Sequence, residues 1–223
     1  MKGTKRRQIT AIEIQEHDRR RRNVFLDGEF AFGIDQEVLA ESGFGIGDFL
    51  TAQDVRRLLN AERRHQATQK ALRLLSVRSR SEKELRTRLE QAGFGEAADS
   101  TLRTLRRAGL VDDLQFALSY ARSRISTRPC GEFLLRRELR EKGIAEETIE
   151  AAVAEAYREK DQRQLAYELA GKKKRLLATT EQEKAQRRVA DFLLRRGFAW
   201  DLVSEIMERW AELPLAVHGE DSV

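Results

Sequence analysis

The sequence is poor in the residues that staple, break or mark a fold. It has one cysteine, Cys130, in 223 residues, so no internal disulfide can form and a reducing cytoplasm is the expected setting. Two prolines leave long stretches free to stay helical. No run approaches the ~18 consecutive apolar residues of a membrane-spanning helix, and the charged start at residues 1–7 is not followed by the apolar segment of a secretory signal. Histidine is scarce as well: His17, His65 and His218 have no Cys-x-x-Cys or His-x-x-x-His spacing around them, so spacing offers no zinc ligand set. No Gly-Lys-Ser/Thr phosphate loop occurs, and Gly43-Phe44-Gly45-Ile46-Gly47 reads as a flexible turn. Cys130 has no histidine near it in sequence, and the pair Asp112-Asp113 lacks the further carboxylates that metal-dependent cleavage needs. Asp113 is expected instead to cap the helix carrying Phe116 and Tyr120. The expectation is a chain with no catalytic residues, no metal and no cofactor.

Charge is what the chain has in quantity: 35% of its residues are charged, and the net charge is +5. It is unevenly spread. Residues 1–26 hold eight basic and three acidic residues, 27–66 four and eight, 172–198 nine and three, and 199–223 one and six. Several basic clusters are candidate contacts for an acidic protein face or DNA phosphates. Arg19, Arg20, Arg21 and Arg22 are expected at a hairpin tip presenting four guanidinium groups. Lys172, Lys173, Lys174 and Arg175 are expected in a connection between helices. Arg136, Arg137 and Arg140 flank a leucine stripe, Arg78 and Arg80 fall at a helix junction, and Arg122, Arg124 and Arg128 surround the matching junction further on. Such groups grip phosphates or acidic protein faces when they are not merely solvated. No aromatic-rich RNA-binding strand, zinc finger or basic zipper accompanies them, so base readout is unsupported and docking onto a protein is favoured.

The fold is expected to be mainly α. Two short apolar runs flank Asp27-Gly28, the signal of a two-residue hairpin turn with positive φ at both central positions. Thr51 followed by Asp54 fits a helix start before Val55, Leu58 and Leu59. Beyond residue 67 the apolar spacing is three and four, and it repeats. Ser81-Leu85-Leu89-Gly93-Phe94 returns as Gly131-Leu135-Leu139-Gly143-Ile144 and again as Ala185-Val189-Leu193-Gly197-Phe198. In each copy a stripe of apolar residues is closed by a glycine suited to the left-handed end of a helix. With a helix before and a helix after each copy, three tandem three-helix repeats result, at 67–113, 114–160 and 161–213. A β-hairpin element with a linking helix precedes them at 1–66, and an acidic tail follows at 214–223. Stacked repeats predict an elongated body, with a closed bundle the alternative from the same pattern, and a monomer is expected.

These residues also carry a resemblance. Ala71-Leu72-x-Leu74-Leu75-x-x-Arg78-x-x-Ser81-Glu82-x-Glu84-Leu85-x-x-x-Leu89 is followed by Gly109-Leu110-Val111-Asp112-Asp113-x-x-Phe116-Ala117. Arg122-Ser123-Arg124 then leads to Gly131, Glu138-Leu139-x-x-Lys142-Gly143-Ile144 and Phe192-Leu193-Leu194-x-Arg196-Gly197-Phe198. In this order, over some 140 residues, the chain resembles the bacterial RecX regulatory proteins, which modulate the RecA recombinase; the third copy departs, with Ala185 and Val189 where the others have Ser or Gly and Leu. The resemblance implies three three-helix repeats, no catalytic centre, and binding to RecA filaments on DNA that restrains filament growth, ATP turnover and strand exchange. The alternative from charge alone is an independent nucleic-acid-binding helical protein using its basic N-terminal arm. The repeat reading has a direct check: Leu139→Ala, in a true core stripe, is expected to cost ~2–5 kcal/mol in urea unfolding, against almost nothing for a surface leucine.

Overall fold

The computed structural model describes residues 6–213; the expected acidic tail 214–223 and His218 lie outside them. Two compact units form. One comprises the residues up to Ser79 together with Leu85–Val111, the other Arg80–Glu84 together with the residues from Asp112 onward.

The first unit opens with a four-stranded antiparallel sheet, β1 (Arg6–Ile14), β2 (Arg21–Leu26), β3 (Glu29–Asp35) and β4 (Phe49–Thr51), in the order β3-β2-β1-β4. The β2–β3 hairpin turns on Asp27 and Gly28, with φ of 52° and 84°, as the sequence predicts. Strand β4 is an addition. Three residues are too few to show an alternation, and Leu50 is visible only once it buries beside Ile9, Val24, Leu26 and Ile34. Helix α1 (Gln36–Ser42) is capped by Asp35, whose carboxylate accepts from the Glu37 N–H. Helix α2 (Ala52–Val77) starts at a reciprocal capping box between Thr51 and Asp54, and the two Thr51 hydrogen bonds hold the Asp54 carboxyl below its ordinary range. The linking helix and the first helix of repeat one are thus one continuous helix across residue 66.

Buried Glu62 fastens α2 to the sheet. It accepts from the Arg21 guanidinium at 2.7 Å, the Asp35 N–H at 2.7 Å and Gln66 at 2.6 Å, so no lone pair of consequence is left unpaired on a buried carboxylate. Helices α3 (Glu82–Gln91) and α4 (Gly95–Arg107) complete the first bundle, whose core joins Ala67, Ala71, Leu85, Leu89, Leu102 and Leu105.

The second unit repeats the scheme twice, with α5 (Asp113–Thr127), α6 (Glu132–Glu141) and α7 (Glu146–Glu159), then α8 (Gln162–Arg175), α9 (Gln182–Arg195) and α10 (Trp200–Glu208). Leu135, Leu139, Ile149 and Val153 fill one core, and Val189, Leu193, Val203 and Ile206 the other. Two expectations need correction. Asp112, not Asp113, caps α5, accepting from the Leu114 and Gln115 N–H groups; Asp113 turns to the Glu82 N–H at 2.8 Å. Lys172, Lys173, Lys174 and Arg175 form the last turn of α8 rather than a connection, where positive charge meets the negative end of the helix dipole.

The repeats meet through a joint that occurs twice within this unit. The start of α3 lies against the end of α6: Ser81 Oγ donates to the Lys142 carbonyl at 2.7 Å and Lys83 Nζ to the Glu141 carbonyl at 3.1 Å. The start of α6 lies in the same way against the end of α9, with Gly131 N–H donating to the Arg196 carbonyl at 2.9 Å and Phe133 N–H to the Gly197 carbonyl at 3.2 Å. In both joints the first residue of the docked helix gives its N–H to a side chain of the next repeat, Glu82 to Asp113 and Glu132 to Gln162. Amide groups orphaned at a helix start are therefore satisfied by the neighbouring repeat. Helix α9 breaks the series: it begins one turn earlier, and Ala185, the counterpart of Ser81 and Gly131, is buried inside it.

Glycine makes the joint possible. Gly143 and Gly197 have φ of 81°, and a Cβ at Gly197 would fall closer than 3.0 Å to Leu134 backbone, whereas at Gly143 it would meet only the flexible Lys83 side chain. Gly93 has the same conformation, φ 83°, with nothing within 4 Å. Gly197→Ala is accordingly expected to lower stability by ~2–4 kcal/mol, combining left-handed strain with overpacking, and Gly93→Ala by ~1–2 kcal/mol from strain alone. Urea midpoints of the two variants check the order; equal losses would mean that the joint carries no packing energy.

Candidate basic interface

Folding sorts the candidate basic residues into those with partners and those without. In the first unit, Arg21 and Arg22 belong to β2 and are engaged: Arg21 with Glu62, Arg22 with the Arg19 carbonyl at 2.7 Å and Gln36 at 2.8 Å. Only Arg19 and Arg20 extend from the turn into solvent, two guanidinium groups where four were expected. Arg78 ends α2 and donates to the Ser79 carbonyl at 2.8 Å.

In the second unit the arginines of repeat two are held by glutamates. Arg122, inside α5 instead of at a junction, forks onto Glu159 on α7, and that hydrogen bond raises its pKa. Arg124 pairs with Glu138 at 2.9 Å while both are largely buried. Arg136 reaches Glu132 and Glu150, Arg137 faces Glu141 one turn away at 3.8 Å, and Arg140 forks onto Glu146. These pairs tie α5, α6 and α7 together and present a nearly neutral surface. Arg80 lies part-buried at the start of the Ser81 joint. Arg128, at the end of α5, is exposed, and its guanidinium has no partner among the described residues.

Repeat three differs. Among the described residues Arg187, Arg188 and Arg195 on α9 have no hydrogen bond or ion pair, and all three are exposed. Lys172 is exposed on α8. Lys173 sits over the Phe192 ring at 5.7 Å, Lys174 over Trp210 at 4.9 Å with a 2.7 Å hydrogen bond to the Trp210 carbonyl, and Arg196 over Phe192 at 4.8 Å. Cation–π seating of this kind fixes the stems while leaving the positive field in place. Sequence reading missed Arg187, Arg188 and Arg195; the signal was the shortage of acids over 172–198, nine basic to three acidic.

The groups considered for chemistry occupy plainer positions. Cys130 is fully buried at the entry to α6, and burial pushes its thiol up, away from what a nucleophile requires. Tyr157 donates to the Cys130 carbonyl at 2.6 Å. Tyr120 donates to Glu138 at 2.9 Å, and burial with that bond pushes its hydroxyl up to about 12. One constellation was not visible in the spacing: Asp35, Glu37 and His65 bring ligand atoms within 4.8 Å of one another. Among the described residues no helix is long and apolar enough to cross a membrane.

Comparison with known proteins covers the same elements. Residues 7–50 match the regulatory protein RecX N-terminal domain, and residues 67–102, 112–153 and 160–207 match the first, second and third three-helix domains of RecX. The regulatory protein RecX of Listeria monocytogenes is 31% identical over 214 residues, covering 95% of this chain and 79% of the relative. That of Levilactobacillus brevis is 33% identical over 220 residues, covering 92% and 80%. A crystal structure of regulatory protein RecX superposes with a TM-score of 0.75 at 29% identity, covering 91% of this chain and 99% of that one. The Lactobacillus salivarius RecX structure shares the fold, with a TM-score of 0.61 over 68% of this chain. Strand element, three helical repeats and sequence agree along nearly the whole length, and the chain belongs to the RecX family of regulatory proteins.

Proposed function

We propose that the chain is a non-enzymatic regulator that binds RecA recombinase filaments on DNA and restrains their growth, ATP turnover and strand exchange. The observation that carries this reading is the match to all four RecX segments in order, from residue 7 to residue 207. A regulator of this kind needs no bond-breaking centre. It needs a higher affinity for one filament state or end, and it shifts assembly by that difference in free energy and no more.

The contact groups we assign are the basic residues of repeat three, Lys172 and Arg175 on α8 and Arg187, Arg188 and Arg195 on α9. Arginines already paired with glutamate bring little new attraction to an acidic partner, since an existing pair must first be broken; unpaired ones bring their whole charge. Arg122, Arg124, Arg136 and Arg140 are on this argument structural, and the exposed Arg19 and Arg20 are a separate, smaller contact.

Adding the purified chain to preformed recombinase filaments on single-stranded DNA is expected to lower ATP turnover. The triple variant Arg187→Ser, Arg188→Ser, Arg195→Ser is expected to need about tenfold more protein for the same effect, the loss of roughly 1.4 kcal/mol of binding, with an unchanged melting temperature. Arg124→Ser is expected to lower stability more than potency. Unchanged turnover and filament mass at several-fold excess of wild type would reject the reading; salt-sensitive binding to naked DNA without any effect on the filament would favour a nucleic-acid-binding module in its place.

A further inference from the structure

In the first unit a cleft of about 280 Å³ opens between the β1–β2 turn, the β3–α1 corner and the outer face of α2. Its lining carries both signs of charge, with Asp18 and Arg20 side by side on the turn. Its basic residues include Arg20 from the turn and Lys70 and Arg73, three residues apart on α2, none of whose side chains has a hydrogen bond or ion pair to a described residue. Asp35, Glu37 and His65 cluster in the same lining, with His65 Nε2 3.6 Å from an Asp35 carboxylate oxygen. Asp35 spends one oxygen on the Glu37 N–H and keeps the other toward His65. The Glu37 carboxylate is exposed and has no partner among the described residues. Arg21 also lines the cleft, but Glu62 already holds it.

The geometry points to a binding site for a phosphate group chelated to a divalent cation, a di- or triphosphate with its metal. Neither half of that ligand suits the cleft alone. A bare phosphate would face Asp18, Asp35 and Glu37, and a bare cation would face Arg20, Lys70 and Arg73; each meets repulsion comparable to its attraction. Together they match a lining of both signs: two carboxylates and an imidazole are a competent oxygen–nitrogen set for Mn²⁺, and guanidinium and ammonium donors from two separate elements suit phosphate oxygens. The inference does not rest on the recombinase reading: Arg20 is the one residue the two share, and neither Glu37 nor Lys70 nor Arg73, the positions tested, belongs to it. Free pyrophosphate and a nucleoside triphosphate share the recognised chemistry.

The test uses the full chain with Mn²⁺ as probe, its binding followed by electron paramagnetic resonance and by titration calorimetry. Four additions are compared: Mn²⁺ alone, pyrophosphate alone, the two together, and Mn²⁺ with ATP. The expected result is Mn²⁺ affinity at least about tenfold higher with pyrophosphate or ATP than without, and loss of about 10–100-fold of the joint affinity both in Glu37→Gln and in the double variant Lys70→Gln, Arg73→Gln, as for removal of charge-assisted bonds. All three positions are exposed, so the variants should keep the wild-type circular dichroism spectrum. Tighter binding with ATP than with pyrophosphate identifies a nucleotide as the source; equal binding identifies the phosphates alone. Mn²⁺ affinity indifferent to phosphate, joint binding that survives both variants, or no binding at millimolar concentration overturns the proposal.

Discussion

The repeats of the second unit depend on one close approach, backbone against backbone, where the first turn of one helix meets the glycine that ends another. A helix start carries orphan N–H groups and a helix end orphan carbonyls, and at Gly131 and Gly197 each supplies what the other lacks. Hydrogen bonds of this kind are worth only ~1 kcal/mol each, but leaving both sets buried and unpaired would cost more than the bonds contribute. The joint is thus specific because the alternatives are expensive. It also explains why the counterpart in repeat three is absent: α9 extends one turn further back, uses its own backbone to satisfy those amides, and offers no docking step to a further repeat.

The same economy governs the arginines. Arg122 and Glu159 are 37 residues apart, Arg124 and Glu138 fourteen, so their pairing follows from the packing of three helices and from nothing local. Part-buried Arg124 would be costly without Glu138, and the pair in turn fixes Tyr120. On α9 no glutamate from α8 or α10 comes opposite Arg187, Arg188 or Arg195, although α10 carries Glu205, which is taken by Arg163 and Tyr167. Glu183 and Asp191, one turn away on α9 itself, make no ion pair with these arginines among the described residues, so their guanidinium charge stays unpaired.

What the residues disclosed beforehand was what nearest neighbours decide. Asp27-Gly28 dictates its turn by φ alone, Thr51 and Asp54 satisfy each other across three residues, and the leucine–glycine stripes write out the helices of every repeat. What they concealed was settled across distance. Strand β4 exists because Leu50 finds a core built by β1, β2 and β3. Asp112 and Asp113 are equivalent caps in the sequence, and only the position of Glu82 separates them. The lysines at 172–174 looked like a connection because a run of charge hides the apolar period; Phe192 and Trp210, beneath them, keep the helix going. His65 meets Asp35 only because Glu62, one turn earlier on α2, pins that helix to the end of β3.

A protein with this construction regulates by position. Its binding groups are distributed over separate elements, and each is weak by itself, so their combined affinity depends on how little freedom is lost when they engage together. The shared core of α8, α9 and α10, which packs Ala166 and Ala170 against Val189, Leu193, Val203 and Ile206, removes part of that loss in advance, during folding. Without that core the same arginines would keep the same charges, but each contact would be nearly independent, and their joint affinity would fall toward that of a single one. On the proposed reading the core of repeat three therefore acts on function through geometry: it holds positive charge at fixed spacing, and spacing is what would distinguish a periodic partner from any other acidic surface.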